Sequence, residues 1–268
     1  MRTSALRPTE HPLGYLLRYW RQARRMSQLA LAHHAQVSPR HLSFIESGRS
    51  APSREMVITL AGALQVPLRE RNDLLLAAGY APAYRESDLA GPAMARVRAA
   101  LERVLAHHEP YPAVVMDRHW NITQANRPAE VMFAHLRGDP PASATANVVR
   151  LMFDPRELRP HVVNWEQVAP ALIQRVHREA VGGVPDPATR ALLAEVLSRP
   201  DLPAAWREPD LAATVLPIIP VIFAKGGVTV SYFSMITTVG TPQDITAQEL
   251  RVESFYPADL ETERHRWT

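Results

Sequence analysis

Apolar residues recur at helical spacing along residues 12–80 and predict a bundle of short helices. In the first of them Leu13, Leu17 and Trp20 fall on one face, as the 3.6-residue period of an amphipathic helix requires. Ser27 and Ser38 stand where side-chain caps begin the next two helices. The pattern predicts helices at about Pro12–Arg25, Gln28–Gln36, Pro39–Gly48, Ser53–Leu64 and Pro67–Gly79.

The periodicity changes near residue 110. After one further predicted helix, Ala93–His107, two short β-rich runs, Ala113–Met116 and Trp120–Thr123, flank a turn-like segment. Helical patterns follow at 125–136, 147–153, 162–180 and 187–198, and strand patterns return at 213–224, 228–239 and 249–256. Gly226-Gly227 predicts a hairpin turn between the first two of these late strands. Pro217 and Pro220 predict that the first of them is irregular.

These patterns predict two domains, which suits a chain of 268 residues. The first, at 1–80, is an all-α five-helix bundle, and a connector helix lies within 81–110. The second, at 111–268, is α+β, with an antiparallel sheet and a block of helices inserted between its strands. Near its end, Thr246 and Glu249 have the spacing of a helix-capping box.

Charge and composition narrow the classes of function. Residues 1–80 carry eleven Arg against five Asp and Glu, whereas the whole chain has a net charge of only +3. A basic first domain suits a polyanionic partner such as double-stranded DNA. The chain has no Cys, which excludes disulfides and thiolate chemistry. Without a membrane-spanning apolar run or a signal-peptide pattern, we expect a cytoplasmic protein that uses no membrane.

The segment Ser27–Ser53 has the features of a helix-turn-helix. In that motif the second helix lies in the major groove while the first crosses the backbone of the DNA. Gln28 stands at the start of the first helix, where a polar side chain grips a phosphate. The outer face of the second helix carries Pro39, Arg40, His41, Ser43 and Phe44.

The same segment contains the motifs Ser27-Gln28, Leu31-Ala32, Val37-Ser38, Leu42-Ser43, Ile45-Glu46-Ser47-Gly48-Arg49 and Pro52-Ser53. Together they resemble the lambda-repressor-like, or XRE, helix-turn-helix family across residues 12–80. The resemblance implies that Gln28 bonds a phosphate, that Arg40 and Phe44 face base edges, and that Arg21 pairs with Glu46. It also implies further DNA contacts from Ser38, Arg49, Ser50, Ser53 and Arg54.

Pro39 departs from the phage-repressor pattern, in which a polar residue is common at this position. Direct readout would then rest on Arg40, whose guanidinium matches guanine O6 and N7, although Arg40 could instead bind a phosphate. Phe44 could contact a thymine methyl group. Since one such module covers only a half-site, we expect a homodimer; the helix at 93–107 or the second domain would supply the interface.

A second set of motifs lies between residue 110 and residue 268. It consists of Asp117-Arg118-x-Trp120, Asn126, Asn147-x-x-Arg150-Leu151-Met152-Phe153, Asn164-Trp165, Thr241-Pro242-x-Asp244-x-Thr246, Glu249-Leu250-Arg251 and Phe255-x-Pro257-Ala258-Asp259. Together these motifs resemble the ligand-binding domain of MmyB-like transcription regulators. The resemblance implies a PAS-like fold and a small apolar, fatty-acid-like ligand.

Large apolar side chains of the helical insert would surround an acyl chain. The candidates are Met132, Phe133, Leu151, Met152, Phe153, Trp165, Leu172, Val176, Leu193, Val196 and Leu197. Its carboxylate would meet a basic or amide group, for which the candidates are Asn126, Asn147, Arg150, Arg159 and His161. Each also has a structural alternative: apolar residues mostly form core, Asn126 could cap a helix, and Arg150 could pair with Asp154.

An enzyme and a dimerisation module are the alternatives for the second domain. The sequence has no HExxH, GxSxG or glycine-rich phosphate loop, so we expect neither an enzyme nor a cofactor or metal site. The domain could instead be a dimerisation or protein-interaction module that binds no ligand. An occupied pocket would decide between these alternatives.

Overall fold

The computed structural model describes residues 11–137, 146–181, 187–207 and 218–267. The chain forms two compact units. Unit 1 comprises residues 1–87 together with 241–248, and unit 2 comprises 88–240 together with 249–268. The predicted segments that fall on 138–145, 182–186 and 208–217 lie outside the described residues.

Among the described residues up to 257, helices and strands follow one another as predicted, with bounds that differ by a few residues, whereas the last helix, Leu260–Arg264, was not predicted. The α-helices are α1 Pro12–Ala23, α2 Gln28–His34, α3 Pro39–Glu46, α4 Arg54–Ala63, α5 Leu68–Ala77, α6 Ala95–His108, α7 Arg127–Arg137, α8 Val148–Phe153, α9 Trp165–Val181, α10 Pro187–Leu197, α11 Ile245–Glu249 and α12 Leu260–Arg264. The strands are β1 Ala113–Met116, β2 Ile122–Ala125, β3 Val221–Lys225, β4 Val228–Thr238 and β5 Arg251–Pro257.

Unit 1 contains the predicted five-helix bundle, α1 to α5. The hydroxyl groups of Ser27 and Ser38 accept hydrogen bonds from backbone N–H groups in the first turns of α2 and α3, which satisfies donors that a helix start leaves free. Ser53 caps α4 in the same way. The core of the bundle is formed by the fully buried side chains of Leu17, Trp20, Leu31, Leu42, Ile45, Leu60, Leu64, Leu74 and Leu75.

Helix α1 crosses α3 at Gly14. A Cβ atom on Gly14 would lie 2.3 Å from the carbonyl oxygen of Glu46, far inside van der Waals contact. The close approach therefore depends on the absence of a side chain at this position. It brings α1 onto the end of α3, where the charged side chain of Glu46 is buried.

Unit 1 also includes a segment from far along the chain, residues 241–248. Ile245 and Ala247 of α11 are buried, and the Ile245 amide donates to the carbonyl oxygen of Arg85 over 2.8 Å. The side chain of Gln248 accepts a 2.7 Å hydrogen bond from the amide of Leu68, the first residue of α5, which Pro67 leaves without a side-chain cap. A residue 180 positions away thus supplies the missing cap.

The capping box predicted at Thr246 and Glu249 is wrong. Asp244 precedes α11 and accepts the amide hydrogen of Thr246 over 2.9 Å, so the cap lies two residues earlier. The Thr246 hydroxyl instead donates to the carbonyl oxygen of Ser87, and Glu249 pairs with Arg118 at 2.8 Å. The carboxylate of Asp244 is the stronger acceptor for the helix start.

Unit 2 is the predicted α+β part, with an antiparallel sheet in the order β2-β1-β5-β4-β3. Gly226 and Gly227 form the predicted hairpin turn, both with positive φ. Trp120 lies outside β2, contrary to the prediction, because it also has positive φ and belongs to a turn in which Asp117 accepts the amides of His119 and Asn121. Helices α7 to α10 contribute to the apolar core that includes β1, β3 and β4.

Candidate DNA-binding surface and ligand site

A buried carboxylate organises the helix-turn-helix. Glu46, at the end of α3, is 2% exposed and receives hydrogen bonds from Arg21 at 2.7 and 3.0 Å. Gln28 donates a third, of 2.7 Å, through its amide nitrogen. The contacts join α1, α2 and α3 at one point, and the Arg21–Glu46 pair is the one that the family resemblance implied.

These contacts also determine the charge of Glu46. Burial alone would raise the pKa of this carboxyl group, but the hydrogen bonds from Arg21 and Gln28 and the charge of Arg21 outweigh it and hold the pKa below its ordinary value. Glu46 is therefore ionised at neutral pH. The same hydrogen bonds raise the pKa of Arg21, so the pair remains charged.

Two guanidinium groups lie near one aromatic ring on the outer side of α3. The Arg40 guanidinium lies 5.4 Å from the centre of the Phe44 ring, and that of Arg49 lies 6.0 Å from it. Arg40, Arg49 and Pro39 are exposed, whereas Phe44 is half-buried. Cation–π attraction therefore holds both positive groups over the outer face of the helix.

The other predicted DNA-contacting residues lie around this face. Ser38 and Pro39 begin α3, and Ser53 and Arg54 begin α4. Ser38 and Ser53 are exposed, while the partly exposed residues are Gln28, His41, Ser43, Ser50 and Arg54. The structure thus places all of them in unit 1 with at least part of each residue in solvent.

In unit 2 the two predicted asparagines are engaged within the fold. Asn126 accepts hydrogen bonds from the amides of Ala113 and Ala129 at 2.9 and 3.1 Å. Asn147 caps α8 by accepting from the amide of Arg150, and it donates to the carbonyl oxygen of His119 over 2.7 Å. Their polar atoms are used to fix turns and helix starts, which accounts for the burial of both residues.

The candidate basic groups are also engaged. Arg150 does not pair with Asp154, as one alternative had it, but with Glu195 of α10 at 2.8 Å; Asp154 bonds the nearer Arg156. His161 is half-buried, and burial, followed by the charges of Lys225 and His135, lowers its pKa. This histidine is therefore neutral at pH 7.

Most of the apolar candidates are packed in the core, and Met132, Phe133, Met152 and Phe153 are among them. Phe153 also borders a packing gap that has no room for a water molecule. The gap lies between α8, α9 and α10 and is lined by Val149, Phe153, Ile173, Val176, Leu193 and Val196.

Trp165 lies at a second, open cavity. This cleft has a volume of about 440 Å³ and is lined by Pro155, Arg159, Pro160, Trp165 and Asp201. Arg159 forms an ion pair with Asp201, and its guanidinium lies 5.2 Å from the centre of the Trp165 ring. In residues 11–137, 146–181, 187–207 and 218–267, no group of three His, Asp or Glu side chains could hold a metal ion.

A helix-turn-helix unit with a cationic outer face, followed by an α+β unit, is the arrangement of a two-part DNA-binding transcription regulator. A helix-turn-helix family model matches residues 17–71, and that of the MmyB-like transcription regulator ligand binding domain matches residues 97–267. The chain belongs to this MmyB-like family of transcription regulators. No curated protein matches the sequence. None of the described helices is long and apolar enough to cross a membrane.

Proposed function

We propose that the protein is a homodimeric, sequence-specific DNA-binding regulator whose PAS-like unit 2 binds a small apolar, fatty-acid-like molecule. The observation that carries the DNA-binding part is the pair of exposed arginines, Arg40 and Arg49, beside the Phe44 ring on a recognition helix fixed by Glu46. Arg40 would bond base edges and Arg49 phosphates. Gln28 uses one amide hydrogen for Glu46 and keeps a second for a phosphate.

Two substitutions test these roles on an operator selected from random duplexes. Arg40→Ala removes a base contact, so we expect affinity to fall by about 1–3 kcal/mol and selectivity at one base pair to relax. Gln28→Ala removes a phosphate contact and should weaken all sequences alike. Arg127→Ala, which removes an arginine of α7 whose side chain is 70% exposed, is the charge-matched control. Equal loss of affinity across sequences for Arg40→Ala would contradict its role as a base reader.

The homodimer follows from the size of a single recognition helix. One helix-turn-helix covers a half-site, and two-fold related copies bind half-sites about one helical turn apart. We expect light scattering to give twice the mass of a 29.9 kDa chain, and we expect the selected operator to be a pseudo-palindrome. A monomer in solution that bound a single half-site would contradict this arrangement.

The ligand-binding part rests on the apolar packing gap between α8, α9 and α10, whose side chains would have to move apart to admit a ligand. Its lining is wholly aliphatic or aromatic, which suits an alkyl chain and offers a polar ligand nothing to bond. Native mass spectrometry, followed by solvent extraction, should reveal a stoichiometric lipid in the purified protein. Removing it should change DNA affinity by about 1–3 kcal/mol, the usual range of an allosteric coupling. A ligand-free dimer with unchanged affinity would favour a dimerisation module.

A further inference from the structure

The second half of β4 is an open edge of the sheet in unit 2. Residues 232–238 of β4 pair with β5, whereas β3 pairs only with residues 228–232. In the described part of unit 2, no strand lies beside residues 233–238 on the side away from β5. Such an edge presents unpaired backbone N–H and C=O groups to any strand that fits it.

The direction of the backbone groups on β4 follows from a hydrogen bond of β5. The Phe255 amide donates to the carbonyl oxygen of Pro112, which precedes β1, so Phe255 bonds away from β4. Ser234 lies directly opposite Phe255, and two residues opposite each other in an antiparallel pair either bond one another or both face away. Because the direction alternates along a strand, the N–H and C=O groups of Ser234, Ile236 and Thr238 all face the open edge.

The side chains along this edge are uncharged, and two of them are large and apolar. Met235 is 54% exposed and Ile236 is 37% exposed, and Ser234, Thr237 and Thr238 are exposed beside them. Residues 226–241 contain no charged side chain and no proline, and the β4–β5 register has no bulge. Edge strands that stay unpaired are usually protected by charges, proline or bulges. Pairing with another strand accounts for the absence of all three.

A second copy of the chain fits this edge because the segment is complementary to itself. Antiparallel pairing about a two-fold axis at Ile236 places this residue opposite its own copy, and it places Ser234 opposite Thr238 of the second copy. Hydroxyl groups then meet hydroxyl groups and β-branched side chains meet each other, and both kinds of cross-strand pair are favourable. A two-fold axis brings each nearby charge close to its own copy, and a segment without charges avoids that repulsion.

We propose that the open edge of β4, residues 234–238, is the dimer interface of the protein and joins the sheets of two copies into one. This assignment rests on the proposed homodimer and adds the segment that forms it. The edge belongs to unit 2, whereas the proposed DNA contacts belong to unit 1. A substitution at the edge therefore alters none of the side chains that are proposed to bind DNA.

Because the chain has no Cys, a single introduced thiol tests the interface directly. In Ile236→Cys the two thiols would lie opposite each other across the axis. Residues that exchange hydrogen bonds in an antiparallel pair have Cα atoms about 5.5 Å apart, within the roughly 4.4–6.8 Å that a disulfide needs. Mild oxidation of the full chain should link most of it into covalent dimers on a non-reducing gel. Thr229→Cys, at an exposed position of the same strand outside the edge, is the control and should stay mostly unlinked.

A charge at the axis should separate the two copies. Ile236→Lys places two like charges opposite each other and should raise the dissociation constant of the dimer at least about tenfold in sedimentation experiments. Ile236→Thr keeps an uncharged, β-branched residue and should remain dimeric, as should Thr229→Lys, which adds the same charge outside the edge. A dimer that Ile236→Lys leaves intact and that Ile236→Cys does not link would overturn the edge as the interface, while the proposed homodimer would stand. A monomeric unmodified protein would overturn both.

Discussion

The two units present their sites in opposite ways. In unit 1 the side chains that we propose as DNA contacts lie at the surface, and two polar residues, Arg21 and Gln28, are fixed by short hydrogen bonds to Glu46. In unit 2 the apolar gap admits not even water, so a ligand must displace side chains to enter. Unit 1 is therefore pre-organised for its partner. In unit 2, separating the packed side chains costs free energy, so binding of the proposed ligand would change the structure of the unit.

This difference predicts that the stability of unit 1 depends strongly on a few polar contacts. Glu46→Ala leaves Arg21 and Gln28 without their shared acceptor. Losing one partner of a buried ion pair costs about 3–5 kcal/mol, and we expect a value near the lower end because the Arg21 side chain is 13% exposed. The protection of α1 to α3 against hydrogen exchange should fall accordingly.

Glu55→Ala is the control for this substitution, since Glu55 is exposed in the first turn of α4. It should change hydrogen exchange little. If Glu46→Ala left α1 to α3 as well protected as the control does, the bundle would be held by apolar packing alone, and the contrast between the units would disappear.

The difference between the two units also explains which features of each could be predicted from the sequence. The helix-turn-helix lies in one continuous segment, so caps such as Ser38 and the Arg21–Glu46 pair were visible as motifs. The gap is assembled from three helices, and only packing decides which apolar residues line it. Phe153, Val176, Leu193 and Val196 were among the candidates, but nothing in the pattern distinguished them from Met132 or singled out Ile173.

Long-range partners were the other source of missed features. The requirement for Gly14 appears only once α1 lies against α3. Likewise, the pattern around Thr246 suggested a local cap, whereas its hydroxyl bonds Ser87, 159 residues away. The spacing of residues in a motif predicts contacts within that motif well. It carries no information on which residue from a distant part of the sequence will compete for the same hydrogen bond.

The segment 241–248 provides a second, smaller test of unit 1. Asp244→Ala removes the cap of α11, and Gln248→Ala leaves the Leu68 amide without its acceptor. Each should lower the stability of unit 1 by about 1 kcal/mol, the usual value for loss of a helix cap. Faster exchange at the start of α5 is the specific sign expected for Gln248→Ala. Gln243→Ala, at an exposed neighbour, is the control and should have no such effect.

The smallest expected effect is on the pH dependence of stability. The two units should differ in it because different groups titrate in each. In unit 2, burial and neighbouring positive groups lower the pKa of His161 and of His265. The unfolded chain then takes up these protons first, so unit 2 should lose stability as pH falls below the ordinary histidine pKa of 6.5. In unit 1 the pKa of the Glu46 carboxyl group is lowered, so this unit should begin to lose stability only below the ordinary glutamate pKa of 4.5.

Hydrogen exchange, corrected for its intrinsic pH dependence, follows both units in one sample between these two pH values. Peptides from β3, β4 and the end of the chain should lose protection before those from α1 to α3. Replacing both histidines, in His161→Gln with His265→Gln, should remove the earlier step, because these two groups can then take up no proton on unfolding. Simultaneous loss in both units would mean that acid stability is controlled by carboxylates such as Asp201, whose pKa is also lowered, and that the histidines contribute nothing measurable.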